Sequence, residues 1–127
     1  GRLDGILVQQ MIRGGREFVA GLVRDPQFGA CVMFGLGGIY TEVLRDIAFR
    51  VAPLRIRDAL DMMEEIRAGG LLGSVRGMPP ADRDALARLL VNLGRIGIEI
   101  DEISEIDINP LIIDGDRPVA VDALVIL

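Results

Sequence analysis

Three polar residues interrupt apolar runs near the C-terminal end of this 127-residue sequence: Asp107 and Asn109 in EIDINPLII, and Asp122 in PVAVDALVI. Alternate residues of a strand share a face, so Asp107 and Asn109 lie on one side and Ile106 and Ile108 on the other. Between the two runs, Asp114-Gly115-Asp116-Arg117 reads as a hairpin connection. With Gly115 and Asp116 as the turn, Asn109 stands opposite Asp122, and Asp107 is two residues away on the same face. A turn at Asp114-Gly115 pairs Asn109 with Ala120 instead but keeps Asp122 on that face; only an odd-residue loop or a bulge separates them. Two carboxylates and an amide oxygen form a hard-oxygen donor set, the kind Mg2+ takes when phosphates and water complete its octahedron. Unpaired carboxylates held together repel, so a cation or an arginine is expected beside them. The competing reading pairs Asp107 with an arginine and leaves Asn109 only to turn the chain before Pro110.

Composition limits what else the chain can do. It has no histidine, and all 14 basic residues are arginine. A histidine base, a phosphohistidine or a phosphate-clamping lysine must therefore come from outside it. The net charge of -5, with no clustered basic stripe, argues against nucleic acid. Cys31 is the single cysteine and lies in the apolar run ACVMF, which excludes disulfide scaffolds and reads as a buried, reduced thiol. Charged residues break every apolar run well short of the ~20 residues that span a bilayer. The opening residues lack the pattern of a secretion signal. Together these point to a cytoplasmic protein without a membrane partner.

The elements that must position the three polar residues read as follows. GILVQQMI (5–12) and REFVAGLVRD (16–25) are expected as a hairpin turning at Arg13-Gly14-Gly15. ACVMF (30–34) is a third strand, and 41–54 holds two short strands closed by Pro53. Helical spacing of Ala59, Leu60, Met63 and Ile66 predicts a helix over 57–68, stopped by Gly69-Gly70. A second helix is expected from Pro80, with Asp82 and Asp84 in its first turn and Leu86, Leu89, Leu90, Leu93 and Ile96 as its stripe. The last third returns to strands at 102–113 and 118–127. The order predicts one α+β domain over 1–127, two helices packed on a largely antiparallel sheet.

Gly35, Gly37 and Gly38 in GLGG allow close backbone approach and could offer amides to a phosphate, or could equally be a bent strand end. The segment lacks the lysine of a P-loop and is not a dinucleotide fingerprint. Arg24, Asp25 and Glu42 read as solvated cross-strand pairs.

In this order, GILVQQMIRGGREFVAGLVRDPQFG, VMFGLGG, VRGMPPADRDALARLL and EIDINPLII with VAVDA resemble the C-terminal part of the ATP-grasp domain of ADP-forming acetyl-CoA synthetases, relatives of succinyl-CoA synthetase β subunits. The resemblance spans nearly the whole chain. It implies that Asn109 and Asp122 ligate Mg2+ on the nucleotide phosphates and that Asp107 takes the place of an acidic residue near an incoming phosphohistidine. It implies that LVQQM, with Gln9, Gln10 and Met11, is the hinge that holds adenine by its backbone and ribose by the next polar side chain. Gln10 stands where relatives carry Glu, and it keeps a ribose hydrogen bond without the charge. Gly37 and Gly38 are the candidates for contact with the nucleotide from the GLGG segment.

The implied reaction is acid, CoA and ATP giving acyl-CoA, ADP and phosphate. The implied partners are an N-terminal ATP-grasp lobe preceding Gly1 and a CoA-binding, phosphohistidine-bearing domain or subunit, in a homo- or hetero-oligomer. On this expectation the chain is incomplete alone. The alternatives are a non-catalytic assembly module with the same fold and another carboxylate-activating ligase.

Overall fold

The computed structural model describes every residue except Tyr40 and the side chain of Glu42, so the pairing expected of Glu42 lies outside the described residues. The strand expected at 16–25 forms as β1 (Glu17–Asp25), but its hairpin partner is β2 (Gly29–Leu36). Asp25 makes the turn: its Oδ1 accepts the N–H groups of Gln27 at 2.8 Å and Phe28 at 2.9 Å. Residues 5–12 form no strand, and Leu3, Ile6, Leu7, Val8 and Met11 are all exposed. Their apolar, β-prone composition is real, but a strand forms only where an edge offers it hydrogen bonds. Residues 5–12 make no ladder pairing with any strand of the sheet.

α1 (Thr41–Leu44) replaces the first of the two short strands expected over 41–54. Thr41 Oγ1 donates to the Gly38 carbonyl at 2.6 Å and Arg45 N–H to the Thr41 carbonyl at 3.1 Å, closing a helical turn. The second strand is β3 (Ile47–Val51), which pairs with β2. α2 (Ile56–Glu65) follows, ending short of the predicted 68. A 3-10 helix, Arg67–Leu72, then runs through Gly69-Gly70 instead of stopping there. The buried Asp46 carboxylate nucleates that turn, accepting the N–H groups of Arg67 and Ala68, both at 2.7 Å.

α3 (Arg83–Glu99) starts three residues after Pro80, with Asp82 as its cap: Asp82 Oδ1 accepts the Ala85 N–H at 3.0 Å. Residues 81 and 82 are instead bound to loops, Ala81 N–H to the Leu72 carbonyl at 2.8 Å and Asp82 N–H to the Asp116 carbonyl at 2.7 Å. Arg24 closes the other end of α3. Rather than a solvated pair, it donates to the carbonyls of Gly97 and Ile100 at the helix end and of Ile103 in the loop that follows.

β4 (Glu105–Asp114) lies beside β1, and β5 (Arg117–Ala120) and β6 (Ala123–Ile126) pair in turn along its outer edge. The sheet is antiparallel throughout, in the order β3-β2-β1-β4-β5. Both helices pack on one face, over Phe18, Ala20, Leu22, Val32 and Phe34. Phe18 and Phe34 stack there at 5.3 Å. Gly97 brings α3 down onto β1 and β2, since a Cβ at that position would sit 2.7 Å from Leu22 and 2.9 Å from Ala30. The expected α+β fold, two helices on an antiparallel sheet, is therefore what the chain adopts.

Candidate metal and nucleotide site

The site begins with a bulge. Along β1, Phe18 pairs with Leu111 and Ala20 with Ile108, so Asn109 and Pro110 together oppose the single residue Val19. An extra residue on one strand re-aims the side chains around it, which is why bulges recur beside active sites. On the outer edge the pairs run Leu111 to Ala120 and Ile108 to Ala123. Val121 and Asp122 therefore match Pro110 and Asn109, and the bulge crosses both strands.

The register expected from a Gly115-Asp116 turn is the one formed. Asp114 pairs with Arg117, and the Asn109 N–H donates to the Asp122 carbonyl at 3.0 Å. Asp107 pairs with Leu124, two residues on. Ile106 and Ile108 are buried on the helix side, which places Asp107 and Asn109 on the open face. Counting back from Ala123, the partner of Ile108, puts Asp122 on that face too. Asn109 and Asp122 are exposed and Asp107 is half-buried.

None of these three side chains forms a hydrogen bond or ion pair within the described protein; in particular, no arginine takes Asp107. Among the described residues, no three His, Cys, Asp or Glu side chains gather into a self-sufficient metal cage. The residues present fit a Mg2+ ion that draws most of its shell from elsewhere: hard oxygens, unspent, on an accessible face.

Gln9 and Gln10 line a cavity of about 210 Å³ with Ile12, Val119, Ala120 and Val121. The expected hinge segment, though not a strand, therefore lies against the residues leading into Asp122. Met11 is 78% exposed and does not line this cavity.

Gly37 and Gly38 line a separate cavity of about 300 Å³ with Gly15, Glu17, Ile39 and Leu71. The loop leaves β2 just after Gly35, which pairs with Val19, the residue facing the bulge. At two strand spacings, it starts about 10 Å from Asn109. Gly37 packs against Phe18, whose backbone a Cβ would meet at 2.9 Å, and its N–H donates to the Glu17 carbonyl at 2.9 Å. That amide is committed to β1, so what Gly37 offers the cavity is a wall without a side chain.

Sequence reasoning missed Arg16, which is 2% exposed. Its guanidinium donates to the carbonyls of Leu71, Gly73 and Gly115, tying the tip of the β4–β5 hairpin to the 3-10 helix, while its Nε is unbonded. An arginine after two glycines carries no sequence signal for such a role. Asp46, also buried, was hidden within a run read as a strand.

The sheet and its two packed helices are those of an ATP-grasp domain. The sequence matches that family over residues 1–127, and the chain belongs to it. It is 49% identical over 125 residues to the β subunit of ADP-forming acetate–CoA ligase I of Pyrococcus furiosus, covering 98% of this chain and 54% of that subunit. It is 38% identical to an ADP-forming 4-hydroxybutyrate–CoA ligase of Nitrosopumilus maritimus, covering 87% of this chain and 16% of that enzyme. Acetyl-coenzyme A synthetase 1 of Ca. Korarchaeum cryptofilum superposes with a TM-score of 0.92 at 49% identity, over 99% of this chain and 55% of that one. Another structure of that synthetase, at TM-score 0.86, 50% identity and 91% and 54% coverage, holds coenzyme A and Mg-AMPPCP with a phosphohistidine segment pointing towards the nucleotide binding site. The chain thus spans about half the length of the P. furiosus subunit and far less of the longer ligase. No helix among the described residues is long and apolar enough to cross a membrane.

Proposed function

We propose that residues 1–127 are the Mg-nucleotide-binding, C-terminal lobe of an ADP-forming acid–CoA ligase. The observation that carries this reading is the Asn109–Asp122 pairing at 3.0 Å across a bulge, with neither side chain spent within the protein. Asn109 and Asp122 would hold Mg2+, which supplies charge neutralisation across the phosphate oxygens of ATP during transfer. Gln9, Gln10 and Met11 form the nucleoside side of the site, with Gln10 hydrogen-bonded to ribose. Gly37 and Gly38 are its close wall. Asp107, on the same face and two residues from Asn109, orients the acceptor that takes the phosphoryl group.

The remaining parts lie outside this chain. An N-terminal lobe closes over the nucleotide and packs on the exposed apolar side chains of residues 3–11. A CoA-binding domain or subunit carries the phosphohistidine that the chain, having no histidine, cannot supply. The summed reaction joins acid and CoA as the terminal phosphoanhydride of ATP breaks, releasing ADP and phosphate. The shared fold and the relatives' activities support this reading, in a cytoplasmic enzyme.

Expression with the remaining half of the domain and the CoA-binding partner provides the test. Acyl-CoA formed from acid, CoA and ATP, with one ADP per thioester, is the expected result. Formation of AMP and pyrophosphate, or of an amide in place of a thioester, would assign the fold to a different ligase.

A further inference from the structure

The turn between β4 and β5 has two competing solutions. Asp114-Gly115 is the Asp-Gly pair that favours a type I′ turn, but the chain turns at Gly115-Asp116. There Gly115 has a φ of 65° and Asp116 is not in the positive region, the pattern of a type II′ turn. The two solutions differ by a two-residue shift of β5 along β4. Such a shift returns each side chain to the face it left, so the alternation of apolar and polar residues does not choose between them.

β6 does not choose either. Its register is held separately, by its ladder to β4 and by Ser104, whose N–H and hydroxyl donate to the Ile126 carbonyl at 2.8 and 3.0 Å. Val121 and Asp122 lie between β5 and β6, so a shift of β5 is taken up at these two residues. Asn109 would then face Ala120, with Val121 and Asp122 extruded from the ladder.

Arg16 grips the turn that forms. Its carbonyl accepts the Ile113 N–H at 3.0 Å, and its guanidinium donates to the Gly115 carbonyl two residues further on. That carbonyl belongs to the central peptide, which points in opposite directions in type II′ and type I′ turns. The guanidinium is itself fixed by the carbonyls of Leu71 at 3.1 Å and Gly73 at 3.2 Å. Gly14 lets this segment lie against β4, since a Cβ there would sit 2.6 Å from the Ile113 carbonyl oxygen. The Asp82 N–H holds the other central residue, Asp116, by its carbonyl at 2.7 Å. The ion pair across the turn, Arg117 with Asp114 at 3.5 Å, is exposed and adds little.

As a source of stability Arg16 is a poor choice. It is 2% exposed, its Nε is unbonded, and among the described residues no carboxylate pairs with it. Buried ionic groups seldom stabilise more than apolar side chains of their size, and their best-attested use is to fix register. We infer that Arg16 is a positioning residue: it selects the β4–β5 register and so keeps Asp122 opposite Asn109. That this register serves Mg2+ rests on the proposed function; the selection of the register does not.

The test uses the complete enzyme and compares wild type, Arg16→Gln, and Arg16→Gln combined with Gly115→Asn and Asp116→Gly. The combined variant puts Asn-Gly at the turn that forms and so specifies the same register without the guanidinium. The readouts are ATP binding with and without Mg2+ and the crystal structure of each protein. Arg16→Gln is expected to lose about ten-fold or more of the gain in ATP affinity that Mg2+ gives, with metal-free ATP binding alike and Asp122 displaced from Asn109. The combined variant is expected to recover both the gain and the pairing. A residue serving stability alone would lower the melting temperature without this split, and the turn substitutions would not restore the gain. An unchanged gain in Arg16→Gln, an equal loss of metal-free ATP binding, or no recovery in the combined variant overturns the inference. Should Arg16→Gln fail to fold, the combined variant decides: folding with the Mg2+ gain restored supports the inference, and failure to fold overturns it. Failure of the metal reading looks different, as a Mg2+ gain indifferent to Asp122→Ala with Arg16 in place. The register seen in the crystal structures then judges Arg16 by itself.

Discussion

The backbone N–H of Asn109 meets the carbonyl of Asp122 at 3.0 Å, at the point where a doubled bulge interrupts β4 and its outer neighbours. Because both strands carry the insertion, the two residues stay opposed while their surroundings are re-aimed. A regular ladder would have placed one residue of the Asn109-Pro110 pair towards the helices.

The site rests on loops held by buried charges, and Asp46 is the most exacting. Its carboxylate accepts two short N–H bonds, from Arg67 and Ala68. Asp46→Ala orphans both donors and should cost about 2–4 kcal/mol. Asp46→Asn, which keeps one acceptor oxygen, should cost less. Chemical denaturation of the three proteins measures both differences.

Gly97 and Gly70 make a controlled pair. Alanine at Gly97 forces its Cβ into Leu22 and Ala30, and overpacking at a helix–sheet contact costs about 1–3 kcal/mol. Alanine at Gly70 meets no atom within 4 Å and should change stability by less than about 0.5 kcal/mol. Equal melting temperatures for the two variants would contradict the packing of α3 described above.

Burial first, and the Asp25 carboxylate second, push the Cys31 thiol above its ordinary pKa. The folded state then holds the thiol proton more tightly than the unfolded state. Its contribution is complete below the unfolded value of about 8.5 and is lost as pH rises through the folded-state value. Wild type should therefore lose more melting temperature than Cys31→Ala between about pH 8 and about pH 10. Parallel curves for the two proteins would remove this assignment.

Much of the architecture could be read from residue order because local and global signals agreed. Alternation in EIDINPLII and PVAVDALVI, joined by Asp114-Gly115-Asp116-Arg117, leaves two candidate turns, and the one at Gly115-Asp116, which pairs Asn109 with Asp122, is the one formed. The bulge was invisible because insertions on both strands cancel in that count; only the shift against β1 reveals it. Thr41–Leu44 has β-prone composition but curls where the Thr41 hydroxyl bonds back to Gly38. Residues 5–12 show the opposite case, a strand-forming sequence that makes no ladder pairing even though Gln9 and Gln10 lie beside β5. Arg16 and Asp46 were illegible because their partners are backbone groups brought close only by tertiary folding.

The claim that Asn109 and Asp122 grip the metal of a bound nucleotide is tested most directly by calorimetric titration of ATP, with and without Mg2+. The proteins to compare are the complete enzyme and its Asn109→Ala and Asp122→Ala variants. The account predicts that Mg2+ strengthens ATP binding in wild type and that either substitution removes at least about ten-fold of that gain, leaving metal-free ATP binding alike in all three. An equal Mg2+ effect in all three proteins would contradict it.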